Sequence, residues 1–188
     1  MRTRTPAFAF SIVGLFTVVG LTALRAPAQQ KDVQLSEVAV RTLAAQTYLY
    51  VETETTFDQI GQTVVPVIER LEKLREEKKV SGGGSLIFVY HDAVMDLGKK
   101  FKLDVGFVVP EGTKAPDGGF KVRRLEPFKC ATVLYGGPIT SVASAYEKVM
   151  PAATGQGRKL TGESREYYLY WEGDQSVNNV EMIAVGIE

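Results

Sequence analysis

Apolar and polar positions divide the chain into two runs of elements in the same order. From about Val33 to Val51 they alternate as on a strand, and the alternation breaks near Leu43-Ala44-Ala45. That break predicts a bulge or bend between two short strands. Phe57, Ile60, Val64, Val67, Leu71 and Leu74 then recur every three or four residues, the single apolar stripe of a helix. Thr56-Phe57-Asp58-Gln59 fits a capping box at its start. Pro66 lies inside the stripe and should kink or split the helix. The charged stretch from Glu69 to Lys79 reads as solvated, and Ser81-Gly82-Gly83-Gly84 as its stop. Ser85 to His91 and Phe101 to Val109 read as two strands joined by a loop or short turn.

After a Gly- and Pro-rich connection at Glu111 to Gly119, the plan recurs. Phe120 to Tyr135 reads as strand, interrupted near Glu126-Pro127. Gly136-Gly137-Pro138 opens a helix whose stripe is Ile139, Val142, Tyr146, Val149 and Met150, ended by Pro151 to Gly157. Glu166 to Glu172 and Val180 to Ile187 are the last strands. A shift of 82 residues lays Val40-Arg41-Thr42-Leu43 on Val122-Arg123-Arg124-Leu125, and Leu86 to Tyr90 on Tyr168 to Glu172. Identities are few; the recurrence of element types is the stronger signal. The predicted fold class is α+β: two β-α-β-β repeats, about 33–110 and 119–188, forming a curved antiparallel sheet with two helices on one face. A cleft between the helices, floored by the sheet, is where a ligand would fit.

The first 28 residues follow a different pattern. Arg2 and Arg4 precede an uncharged apolar run from Ala7 to Leu24, and Ala26-Pro27-Ala28 offers small residues at the positions a signal peptidase reads. This predicts a signal peptide over residues 1–28 and a mature domain over 33–188, periplasmic or extracellular. The alternative is an uncleaved anchor in the inner membrane, since the run nearly matches a bilayer's thickness; the membrane would then be touched only through this segment. The whole chain is balanced at 22 basic and 22 acidic residues, and removing Arg2, Arg4 and Arg25 leaves it acidic. Nucleic acid is therefore not an expected partner, because binding it takes a concentrated positive surface.

One cysteine, Cys130, precludes an internal disulfide and reads as a buried strand residue. With one histidine beside it, the familiar zinc sets cannot be assembled, and no metal or cofactor is expected. His91, at a strand end, could serve as a general base or haem ligand; a lone loop histidine is usually neither. The glycines at 82–84 lack the Lys-Ser/Thr pair of a phosphate-binding loop, and no serine elbow accompanies His91.

The sequence resembles the GyrI-like small-molecule-binding domain, also called the bacterial transcription activator effector-binding domain. The resemblance is carried by Val40-Arg41-x-Leu43, Gly136-Gly137-Pro138, Arg165-Glu166-Tyr167-Tyr168-Leu169 and the final apolar strand. It implies two β-α-β-β units around a hydrophobic ligand pocket. Relatives are often attached to helix-turn-helix regulators; some stand-alone ones inhibit a topoisomerase, and some hydrolyse strained or electrophilic compounds. In many members a glutamate of an E-x-Y strand sits at the pocket floor, a position matched here by Glu166 with Tyr168. The stretch before Val33 is too short for a DNA-binding region, so neither a DNA-linked role nor inhibition of an intracellular enzyme is expected.

On a strand, side chains two apart share a face, which groups Glu166, Tyr168 and Tyr170 against Arg165, Tyr167, Leu169 and Trp171. A carboxylate flanked by tyrosines suits a cationic or aromatic ligand. Burial without a partner would raise the carboxyl pKa and let it handle protons; pairing with an arginine, or exposure, is the alternative. Tyr135 and Tyr146, near the second helix, complete the candidate ligand-binding set. The expectation is a small-molecule-binding module for an apolar, aromatic or cationic ligand. The competing expectations are a hydrolase with Glu166 as general acid/base, and an interaction protein with a filled cleft.

Overall fold

The computed structural model describes residues 33–81, 84–94 and 96–188. The predicted signal or anchor segment, and Gly82-Gly83 of the helix stop, lie outside the described residues. Among the described residues no helix is long and apolar enough to cross a membrane.

Among the described residues, nine strands form one antiparallel sheet: β1 (Gln34–Leu35), β2 (Ala39–Leu43), β3 (Gln46–Thr55), β4 (Leu86–His91), β5 (Phe101–Val109), β6 (Lys121–Leu125), β7 (Phe128–Gly136), β8 (Leu160–Tyr170) and β9 (Val180–Ile187). Two helices, α1 (Ile60–Glu76) and α2 (Ala143–Thr154), complete an α+β fold. The strands run in the order β1-β7-β9-β8-β4-β5-β3-β6, with β2 also on β7. The predicted breaks near residues 44 and 126 are the links from β2 to β3 and from β6 to β7. Each link joins opposite ends of the sheet, since β2 pairs with β7 while β3 pairs with β6. Two residues span only about 7 Å, so the sheet must coil until its ends approach. Leu43, Leu125 and Phe128 meet there, in a core with Tyr48, Ile87, Val89, Cys130 and Tyr167 on the face away from the helices. Gly106, in the middle of β5, has no space for a side chain: a Cβ would strike the Leu49 carbonyl.

The helices share the other face. Phe88, Glu166 and Ile183 are successive cross-strand partners on β4, β8 and β9 and so point the same way. Phe88 packs in the α1 cluster and Ile183 in the α2 cluster. α1 buries Val64, Val67, Leu71 and Leu74 of its predicted stripe, together with Ile68. α2 buries only the small Ala145 and Ala153 with Val149.

Several local expectations fail for identifiable reasons. The capping box does not form: α1 starts at Ile60, the Thr56 hydroxyl donates to the Asp58 carboxylate, and Gln59 caps without a side-chain bond. α1 runs through Pro66 without splitting, while α2 passes Pro151 and ends at Thr154, within the Pro151 to Gly157 stretch expected to end it. Both prolines face solvent, where a carbonyl deprived of its helical donor can bond water. Gly136-Gly137-Pro138 leads into a 3-10 turn, Ile139–Ser141, before α2. β8 begins at Leu160, six residues before the expected start at Glu166.

Candidate functional site

Between the helices and the central strands lies a cavity of about 800 Å³. Its depth is set by side-chain size: α2 puts small residues against the sheet, and Val142, Tyr146 and Met150 only partly cover that half. The lining is mostly apolar, and six aromatic rings contribute to it: Phe57, Phe88, Tyr90, Tyr146, Tyr168 and Trp171. Phe88 and Tyr168 pack with centroids 4.8 Å apart, and Trp171 stands edge-on to Tyr168 at 5.6 Å. Phe57, no longer a helical residue, tilts against Phe101 at 4.6 Å and holds one wall. Val94 and the 70% exposed Leu97, from the β4–β5 connection, edge the cavity.

Glu166 lies on the sheet side of this cavity, only 4% exposed. Three tyrosine hydroxyls donate to it: Tyr146 to Oε1 at 2.7 Å, and Tyr90 and Tyr168 to Oε2 at 2.8 and 3.1 Å. Each comes from a different element, α2, β4 and β8. Burial pushes the Glu166 pKa up, and the three hydrogen bonds oppose that shift by favouring the anion. The tyrosines move up as well, through burial first and then the adjacent carboxylate, so they remain donors. The other lining acids are Glu163, which pairs with Arg165 at 2.6 Å, and Asp174, raised by desolvation. Among the described lining residues there is no lysine, arginine or histidine.

Three of the five expected ligand residues, Glu166, Tyr168 and Tyr146, therefore meet in the cavity. Tyr135 and Tyr170 do not. Tyr135 is buried in the α2 core with its hydroxyl on the Pro138 carbonyl, at 2.5 Å. Tyr170 is half exposed and donates to Glu172. A register shift between Tyr168 and Tyr170 breaks the strand alternation. It removes Tyr170 from the Glu166 face and brings in Trp171, which strict alternation assigned to the other side. Sequence reasoning also missed Tyr90. Its cross-strand partner is Ser164, two residues from Glu166 on the same face, so the β4–β8 pairing is the signal that would have found it. His91 ends β4 and reaches Asp104 at 3.0 Å, away from the cavity lining. Cys130 is fully buried on the far face, its thiol pushed up to about 11 by burial.

A coiled antiparallel sheet with two helices roofing an aromatic, acidic cavity defines a small-molecule-binding class of α+β domain. The chain belongs to the family described as the GyrI-like small molecule binding domain, which matches residues 36–183. No curated protein matches the sequence. Among solved structures, the EcmrR C-terminal domain has a TM-score of 0.65 at 18% identity, covering 81% of this chain and 97% of that one. SAV2435 bound to tetraphenylphosphonium has a TM-score of 0.59 at 14% identity, covering 81% and 94%. A hydrolase encoded by lin2189 from Listeria innocua has a TM-score of 0.56 at 10% identity, covering 81% and 92%. These likenesses establish the fold. Against EcmrR in its complex with DNA, this chain spans 59% of the other chain's length.

Proposed function

We propose that the protein is an exported module that captures a bulky aromatic or apolar cation in this cavity. The carrying observation is Glu166: a buried carboxylate, hydrogen-bonded by tyrosines, facing a cavity with no basic side chain among its described lining residues. A cation there gains the carboxylate's attraction in a medium that screens weakly, and the surrounding rings present negative faces to it. The volume falls within the roughly 300–1,000 Å³ usual for ligand pockets, and a structural neighbour holding tetraphenylphosphonium supports the ligand class.

The two-copy reading of the fold belongs to this proposal. Leu43 pairs with Phe128 and Gln46 with Leu125, each pair being the other's image under the 82-residue shift. Beyond the helices the strand registers favour Tyr90 on Tyr168, in place of the constant-shift alignment on Glu172. Phe88 faces Glu166 across the boundary between the copies, so only the second copy supplies the acid.

Tetraphenylphosphonium and tetraphenylborate share a shape and differ in the sign of their charge. The phosphonium should raise the melting temperature in a dose-dependent way by mass action, and the borate should not. Glu166→Gln should weaken phosphonium binding at least about tenfold, the loss expected for one charge-assisted contact. Equal stabilisation by both ions, or by neither, would sink the reading. Export is checked by the mass of the mature protein, expected to begin at Gln29; an intact chain retained in the membrane fraction would indicate the anchor.

A second reading, hydrolysis of reactive small molecules, is favoured by the raised pKa of Glu166 beside tyrosine donors. It requires turnover of electrophilic substrates by the wild type and its loss in Glu166→Gln.

A further inference from the structure

Glu181 lies outside the cavity lining. It sits on β9, fully buried, and neither carboxyl oxygen has a hydrogen-bond partner. Its cross-strand neighbours are Tyr135 on β7 and Tyr168 on β8. Tyr135 gives its hydroxyl to the Pro138 carbonyl and Tyr168 gives its own to Glu166. Tyr146, reaching over from α2, also gives its hydroxyl to Glu166. The charged group that acts on Glu181 is Glu166 itself. Because Glu166 pairs with Ile183 and Tyr168 with Glu181, the two acids are diagonal neighbours on one face, a geometry that separates them by about 7–8 Å.

Two carboxyls this close in a dry interior cannot both ionise without a large cost. The three hydroxyl donors settle which one does. Glu166 has all of them and Glu181 has none, so the negative charge resides on Glu166 and the proton on Glu181. Burial, reinforced by the Glu166 charge, holds the Glu181 pKa at about 8.

We propose that Glu181 is the proton-holding partner of Glu166, and that a cation entering the cavity expels this proton to solvent. The proposal rests on the cation-binding reading above. A positive charge beside Glu166 cancels the field that, with burial, keeps Glu181 protonated. The O–H bond of the Glu181 carboxyl then breaks, the proton passes to a buffer base, and the protein exchanges one positive charge for another. Nothing is oxidised or reduced. Cation uptake becomes pH-dependent through Glu181.

The experiment is a calorimetric titration of the protein with tetraphenylphosphonium in phosphate, HEPES and Tris, whose ionisation heats differ, at pH 6 to 9. Expected at pH 7 is release of between about 0.3 and 1 proton per ligand, falling to near zero at pH 9, with affinity rising by up to about tenfold per pH unit below pH 8. Glu181→Gln, nearly isosteric with the neutral acid, should still bind, with no buffer dependence and a flat pH profile. If that variant does not fold, the wild-type buffer and pH series decide alone. Binding by the wild type without proton release overturns this proposal and leaves the cation reading intact. Release that persists in Glu181→Gln overturns the assignment to Glu181. No binding at any pH overturns both.

Discussion

Asp104 on β5 and Glu166 on β8 are both carboxylates buried in the middle of the sheet, on opposite faces. Arg123 approaches Asp104 at 2.7 Å and His91 at 3.0 Å, while the Arg123 guanidinium also lies 4.9 Å from the Tyr50 ring. Charge on that face is matched within the chain, beside a cluster of buried apolar side chains. Glu166 has hydroxyls in place of cations, and open volume in place of packing. The contrast separates two reasons for burying an acid. Asp104 ties strands together. Burying Glu166 and Glu181 without a basic partner costs stability, as expected of a site whose purpose is recognition.

The comparison can be broken first at Asp104. Asp104→Ala should lower the unfolding free energy by about 2–3 kcal/mol, the low end for breaking a buried ion pair because Arg123 is a third exposed. Tetraphenylphosphonium affinity should stay within about twofold, as expected for distant sites. A loss below about 0.5 kcal/mol in urea titrations would deny the face its structural role. Glu181→Leu should act with the opposite sign. The Glu181 pKa in the folded protein, about 8, exceeds the ordinary 4.5. Native protein therefore binds the proton more tightly, and this contribution to stability is lost as pH rises from about 4.5 through 8. Replacing the acid should stabilise by about 1–3 kcal/mol at pH 8, and by less at pH 4. A gain that is the same at both pH values would contradict the buried-acid account.

Smaller effects sharpen the contrast. Tyr146→Phe removes one of three donors to Glu166, and should weaken phosphonium binding about fivefold, the worth of roughly 1 kcal/mol for one hydrogen bond. An unchanged dissociation constant would show that the hydroxyl does not tune the carboxylate. Tyr170→Phe should change neither binding nor stability by more than about 0.5 kcal/mol, being a surface substitution; a clear binding defect would return Tyr170 to the site.

What the sequence made legible follows from what is local. The alternation breaks near residues 44 and 126 appear in the apolar pattern, and they became the links that coil the sheet. Glu166, Tyr146 and Tyr168 were reachable because a family resemblance marked their strand and a helical stripe marked Tyr146. Tyr90 was hidden because strand pairing is non-local: nothing in Ser85 to His91 says which face meets Glu166. Trp171 and Tyr170 exchanged roles because one irregularity reverses the parity of every residue beyond it. Glu181 leaves a trace in the pattern. It is the one charged residue in the otherwise apolar run Val180 to Ile187, where burial of the strand made a solvated acid implausible.

The two short links carry a consequence for the life of the molecule. β2 leaves the first half to flank β7, and β6 leaves the second half to flank β3. Each half thus wears an edge knitted by the other, like two hands with fingers interlaced. A protease cut in the exposed stretch around Glu111 to Gly119 would sever the thread without loosening the weave, and the pieces should travel together through a sizing column until a denaturant unpicks them.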